Sequence, residues 1–294
     1  MRQYFLLAVL TALIFLPGQK DTAGPLYMLT AIGLMEGWFQ FCSFRKPDKR
    51  RANADILSII WVLLIIWDIF VTKLDMMHPV LVPAPENIFA VFAEDWLVMI
   101  KGFISSMEIL LIGVILGISS GTVLGLICGW YQHLKDVFFP IANVLAPIPS
   151  IVFAPYIIAI MPTFRSASAV VVFLGIFWPV FLKSVISVDG IDRNIIDSAR
   201  TLELKPISMI FEVLLPYSIP GILSGLKVTM TTAMMLLTFA EMLGATEGMG
   251  YYIVNYNTYG NYTKVIAGII VVAIAVTIVG FITTRLQKLV HWRN

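Results

Sequence analysis

The sequence predicts an all-α protein of the lipid bilayer, and three observations carry that prediction. Of 294 residues, 59% are hydrophobic and only 13% charged, with a mean hydropathy of +0.89; soluble domains carry about 25% charged residues. The apolar residues gather into runs near the ~20 residues that a helix needs to cross ~30 Å of hydrocarbon. Lys and Arg are distributed between the intervening loops as one topology requires. The net charge of +2 is too small to point to nucleic acid. Cys42 and Cys128 both lie in apolar runs and read as small buried hydrophobes, not as a disulfide framework or a metal-binding CxxC.

Eight candidate spans follow in order: 4–16, 25–44, 55–71, 103–130, 137–160, 167–188, 217–240 and 265–284. The first is short. With Arg2 ahead of it, it also fits the charged and apolar regions of a signal peptide, though no small-x-small cleavage site follows; the remaining topology is the same on either reading. Arg45, Lys46, Lys49, Arg50 and Arg51 crowd one loop, which is therefore cytoplasmic. Counting onward puts 73–100 outside, with Asp75, Glu86, Glu94 and Asp95; 132–136 inside; 162–166 outside; 189–216 inside; and 241–264 outside. Both termini are then inside, the tail carrying Arg285, Lys288 and Arg293.

In the fourth span Gly113, Gly117, Gly121, Gly125 and Gly129 recur every fourth residue. Glycine costs about 1 kcal/mol in a soluble helix, so the repeat predicts a packing use: a slanted groove that lets a neighbouring helix approach closely, in the same bundle or in a second protomer. The fifth span contains Pro140, Pro147, Pro149 and Pro155. Interior prolines remove N–H donors and kink helices. In a membrane such backbone is tolerated where protein or water satisfies it. This element is expected to be bent and to line a pathway, with Pro147 and Pro149 at its centre.

The stretch 194–205 is a charged interlude between two spans. Ile195, Ala199, Leu202 and Pro206 share one helical face, widened by Ile196, while Asp197, Arg200 and Glu203 point elsewhere. Asn194 is expected to cap the start, with Asp197 three residues on, and Pro206 to stop the helix near Leu204. Two uses suit such a helix: packing on its own bundle, or seating in a groove of a partner.

The residues Asp197-Ser198-Ala199-Arg200-Thr201-Leu202-Glu203, followed by Val213-Leu214-Leu215-Pro216, resemble the EAA loop of ABC importer permeases. The continuation 219–227 resembles it too. Ala240-Glu241-Met242-Leu243-Gly244-Ala245-Thr246-Glu247-Gly248-Met249-Gly250-Tyr251, together with Leu81-Val82-Pro83-Ala84-Pro85, is similar to the taurine, sulfonate, nitrate and bicarbonate branch. The resemblance covers roughly 55–292. It implies a type I ABC importer transmembrane domain of about six core helices in residues 52–294, preceded by a two-helix hairpin and basic loop in 1–51. It also implies a permease homodimer, or half of a heterodimer, in a bacterial or archaeal cytoplasmic membrane, in contact with lipid.

The resemblance further makes 194–205 a coupling helix seated in a cytoplasmic ABC ATPase, with Ile195, Asp197, Ser198, Ala199, Arg200, Leu202, Glu203 and Pro216 as coupling residues. An extracytoplasmic binding protein would deliver a small anionic solute, or in some relatives a heterocyclic vitamin precursor, for alternating access. Two departures stand out. The family's glycine is Glu203 here, where glycine would permit positive φ, so the turn is expected to differ or Glu203 to contact the ATPase. The usual glycine-containing outer turn is Met161-Pro162-Thr163-Phe164-Arg165.

Charges inside spans are costly and often functional. Asp68, near the outer end of its span, suits either a reach to water or, like the deeper Glu36, pairing inside the bundle or snorkelling. Glu241, beside Gly244, Gly248 and Gly250, suits either an outer gate or a brace for the following loop. Tyr251, Tyr252, Tyr256, Tyr259 and Tyr262 suit an interfacial aromatic belt. His78, His133 and His291 are scattered, and no GxxxxGK[ST] is present. Catalysis and metal binding are therefore not expected, and any ATP is bound by another chain. A secondary carrier or channel would show paired deep carboxylates in repeated spans; a scaffold reading rests only on the hairpin.

Overall fold

The computed structural model describes residues 2–20, 22–45, 50–78 and 80–290. Lys46, Lys49, His291 and Arg293 lie outside the described residues. All regular structure among those described is helical: α1 (Arg2–Phe15), α2 (Pro25–Arg45), α3 (Arg50–Asp68), a π turn (Ile69–Lys73), α4 (Pro85–Glu94), α5 (Trp96–Trp130), α6 (Gln132–Leu145), a 3-10 turn (Ser150–Phe153), α7 (Ala154–Ile160), α8 (Phe164–Asp189), α9 (Arg193–Thr201), α10 (Pro206–Ser208), a second π turn (Met209–Leu214), α11 (Leu215–Met242), α12 (Met249–Thr258) and α13 (Tyr262–Val290).

Among the described residues, five helices are long and apolar enough to cross a membrane: Arg50–Lys73, Trp96–Trp130, Phe164–Asp189, Pro206–Met242 and Tyr262–Lys288. The bent pair Gln132–Leu145 and Ser150–Ile160 passes the same test when its two helices are taken together, and counted as one span it makes a sixth. These are the six expected core spans. The expectation of eight is corrected at the N-terminus. With 14 residues, α1 is about 21 Å long at ~1.5 Å per residue, short of the ~30 Å hydrocarbon layer. The 21 residues of α2 are long enough, but Glu36, Gln40 and Arg45 dilute its apolarity.

The chain divides into two compact units. One comprises residues up to Ile100 with Ile253–Ile270. Its core is Leu10, Ile14, Met28, Ile32, Phe39, Leu57, Trp61 and Leu64, contributed by α1, α2 and α3. Glu36 is paired, as expected of a charge among apolar helices: Gln3 Nε2 donates to both its oxygens at 3.0 Å. Of the two readings for Asp68, the buried one holds: it is 0% exposed where α3 passes into the π turn. Glu86, also buried, accepts from Thr72 Oγ1 at 3.3 Å. Burial pushes the Glu86 carboxyl above the ordinary range, and the Asp68 charge raises it further, while its backbone hydrogen bond and Lys73 oppose the rise.

The second unit comprises Lys101–Tyr252 with the chain from Val271 onward. Its core joins α5, α8, α11 and α13 through Ile109, Leu110, Val114, Val172, Ile176, Val180, Ala233, Met234, Leu237 and Ala275. The glycines of α5 face α8. A Cβ added at Gly113 would lie 2.7 Å from Val172 Cγ1, at Gly121 2.9 Å from the Phe177 carbonyl oxygen, and at Gly125 2.6 Å from that of Phe181. Gly117 and Gly129 meet Ile176 and Val188 in the same way, at 2.9 Å. The stripe is therefore occupied by a helix of the same chain. Between α6 and α7 the axis turns by 84°. Pro147 lies in the break, Pro149 caps the 3-10 turn and Pro155 stands in the first turn of α7. Pro140 is accommodated inside α6 without ending it.

Candidate functional site

Two clusters stand at opposite ends of the long helices of the second unit. On the cytoplasmic side, α8 ends at Asp189 and α9 starts two residues after Ile191. The cap is Asp192, whose carboxylate accepts from the Asn194 amide at 2.9 Å; this corrects the expectation for Asn194. Aspartate and asparagine cap about equally well, so composition alone did not decide between them. The helix stops at Thr201, not near Leu204, because Leu202 caps it and Glu203 turns the chain with φ +51°. The backbone thus adopts the left-handed turn that a glycine would allow freely, and glutamate bears its strain.

The predicted apolar face is divided by the fold. Ala199 is 5% exposed and packs with Leu126, Val188, Ile191, Met209, Ile210 and Leu214, joined by half-buried Ile196. Ile195 and Leu202 are 42% and 73% exposed. Asp197 and Arg200 form a loose i,i+3 pair at 4.0 Å, well exposed on both sides, and contribute little to stability. Ser198 Oγ donates to the Asn194 carbonyl at 2.6 Å. Pro216 opens α11, and the next residue, Tyr217, donates from its hydroxyl to the Gly190 carbonyl at 2.8 Å. Lys135 Nζ meets Asp189 Oδ1 at 2.5 Å, tying α6 to the end of α8. Sequence reasoning missed that pair, since 54 residues separate its members.

On the outer side, Glu241 is buried near the end of α11. Its Oε1 accepts from Ser106 Oγ at 2.6 Å and its Oε2 from the Gly250 amide at 2.7 Å. The Met249 amide donates to Ser106 Oγ at 3.0 Å. The following glycines make room for this carboxylate. Gly248 has φ +115°, and a Cβ there would lie 2.5 Å from Glu241 Cδ. A Cβ on Gly250 would meet the Thr238 carbonyl oxygen at 2.3 Å. Gly244 packs under the Phe164 ring, 2.4 Å from a hypothetical Cβ. Glu241 holds the loop to α5 and to the start of α12, with both oxygens occupied. Ser106 was not legible in the sequence, 135 residues from its partner. Arg165, in the unusual outer turn, pairs with Glu108. Pro147 and Pro149 are near neither cluster in sequence; they belong to the α6–α7 break.

Of the five tyrosines expected at the interface, Tyr252 is buried and so departs from the belt. The ring of Tyr256 instead lies 4.6 Å from Lys264 Nζ, which also bonds Asp95 at 2.8 Å.

Similarity to known proteins identifies the class. SsuC of Bacillus subtilis, named as an aliphatic sulfonates transport permease, is 27% identical over 85% of this chain and 92% of its own length. The nitrate import permease NrtB of Leptolyngbya laminosa is 28% identical over 62% of this chain and 66% of its own. The taurine transport system permease TauC of Escherichia coli is 23% identical over 85% of this chain and 94% of its own. A chain of the MetNI methionine ABC transporter, solved in inward-facing conformations, shares the fold with a TM-score of 0.57 at 18% identity, covering 66% of this chain and 97% of that one. Residues 121–293 match the family described as "Binding-protein-dependent transport system inner membrane component". With its bundle of apolar spans, the chain belongs to that family of multi-pass inner-membrane permeases of ABC importers.

Proposed function

We propose that the chain is the transmembrane half of an importer for a small oxyanionic solute of the sulfonate, taurine or nitrate kind. Residues 52–294 form the permease core, and residues 1–51 an extension to it. Two copies pair, and a separate ATPase binds each from the cytoplasm. An extracytoplasmic binding protein delivers solute to the outer loops, and ATP-driven closure of the ATPases swings the core between inward and outward access. The chain itself binds no cofactor in this scheme.

The observation that carries this reading is the division of α9. Ala199 and Ile196 anchor the helix in the cytoplasmic cluster, while Ile195 and Leu202 stand out of it. A helix gripped from within and apolar on its outer side can transmit a push to Leu126 on α5 and Leu214 at the root of α11. Ala199 therefore acts as an anchor, and the ATPase-facing residues are Ile195, Ser198 and Leu202, with Asp197, Arg200 and Glu203 at the rim. The test is uptake of radiolabelled 2-aminoethanesulfonate, ethanesulfonate and nitrate into proteoliposomes holding the permease, its ATPase and its binding protein. Uptake of at least one that requires ATP supports the reading; ATP-independent equilibration, or uptake of none, overturns it.

A further inference from the structure

The outer face of the second unit holds a cavity of about 310 Å³ between the start of α5, the turn into α8 and the loop after α11. That is the small end of the range for ligand clefts. Its polar lining is Ser105, Thr163, Arg165, Ser168, Thr246 and Glu247. Ser105 and Ser168 are 8% and 3% exposed. Two largely buried serines in the wall of a cavity can donate to an acceptor inside it.

Charge narrows the ligand. Arg165 is the cation of the wall, and its resting partner is Glu108. Glu247 adds a carboxylate to the lining. A bare anion would have to displace Glu108 and then face two carboxylates. A small zwitterion meets no such opposition: its oxyanion takes the guanidinium fork, which matches planar and tetrahedral oxyanions in bidentate fashion, and its ammonium takes Glu247 or the released Glu108. The cavity also sits on the braced loop. Ser105 adjoins Ser106, which bonds Glu241, and Glu247 adjoins Gly248, whose backbone wraps that carboxylate.

We infer that this cavity is an outer subsite for a small ammonium-bearing oxyanion such as 2-aminoethanesulfonate, read by Arg165, Ser105 and Ser168 at its acid end and Glu247 at its amino end. The inference rests on the importer reading for its place on the solute's route, but the binding itself can be measured without transport.

The experiment is scintillation-proximity binding of tritiated 2-aminoethanesulfonate to the purified permease–ATPase complex in nanodiscs, competed with ethanesulfonate, ethylamine and nitrate. Wild type should bind, with ethanesulfonate, ethylamine and nitrate each competing at least tenfold more weakly than unlabelled 2-aminoethanesulfonate. Arg165→Met and Glu247→Gln should each weaken binding about tenfold or more. Ser168→Ala, which removes one hydroxyl and is the least disruptive to folding, should weaken it several-fold. Arg165→Lys should recover part of the Arg165→Met loss. No binding at millimolar ligand, or binding unchanged in all three weakening variants, overturns the subsite. The two readings fail separately: ATP-driven uptake with unchanged variant binding removes the subsite alone, and variant-sensitive binding without ATP-driven uptake removes the importer reading alone.

Discussion

Replacing Gly125 by alanine tests the closeness of α5 and α8. The added Cβ would stand 2.6 Å from the Phe181 carbonyl oxygen and 2.7 Å from Ser184 Cβ. Ordinary contact begins at 3.4 Å, so the shortfall is about 0.8 Å. Neither obstacle is the free end of a flexible side chain: one is helix backbone and the other is fixed to it. The helices must therefore part. A gap of ~0.5–1 Å forfeits a quarter to a half of each dispersion contact along the seam, and overpacking of this kind costs about 1–3 kcal/mol. At ~2–4 °C per kcal/mol for a protein of this size, the midpoint should fall by around 5 °C. Gly37 on α2 is the internal control, since nothing lies within 4 Å of its hypothetical Cβ; alanine there should be neutral or gain up to ~1 kcal/mol from helix propensity. Thermal aggregation followed by size-exclusion chromatography of detergent-purified protein reads both. If Gly125→Ala loses no more than Gly37→Ala, the close approach of α5 and α8 is wrong.

Glu203→Gly should stabilise the end of α9 by roughly 0.5–1 kcal/mol, because a non-glycine residue at positive φ costs about 1–2 kcal/mol and glycine returns some of that as unfolded-state entropy; slower hydrogen exchange across 193–201 is the check, and faster exchange contradicts it. Glu241→Leu leaves Ser106 and the Gly250 amide without their acceptor, at ~1–3 kcal/mol for each buried group. Exchange at Gly250 should quicken, with Glu241→Gln intermediate, and unchanged exchange in the leucine variant would remove the brace. Glu86 has a carboxyl raised by burial. Its folded form binds a proton more tightly than its unfolded form, so its contribution is fully present below the unfolded value and is lost as pH rises through the folded one. The stability of wild type relative to Glu86→Gln should therefore fall as pH rises from below the ordinary carboxyl range through the raised folded value, as read by melting midpoints; a rising or flat difference contradicts the burial argument.

Much of this architecture could be read from residues close together in the chain. The six spans followed from apolar runs, and the glycine repeat announced a close helix contact because all five glycines lie on one element. Periodicity also found α9, but a period gives a face and not its direction. Whether Ala199 points inward depends on Leu126 and Leu214, which come from other helices. The helix ends shifted because capping is decided by local geometry that several residues can satisfy: Asp192 took the start, and Glu203 accepted a left-handed turn that composition argues against. The least legible features were pairs joined only by the fold, such as Ser106 with Glu241, Arg165 with Glu108 and Asp68 beside Glu86. The two N-terminal apolar runs fold as helices that pack with α3, and in length or apolarity they fall short of the core spans.

The most direct test of the account is Leu202→Asp in the assembled transporter. Leu202 is largely exposed, so the variant should fold, elute and melt as wild type does, while the ATPase no longer co-purifies and ATP-driven uptake is lost. A Leu202→Asp permease that retains its ATPase and transports at the wild-type rate would contradict the assignment of α9 as the helix through which ATP hydrolysis moves the membrane spans.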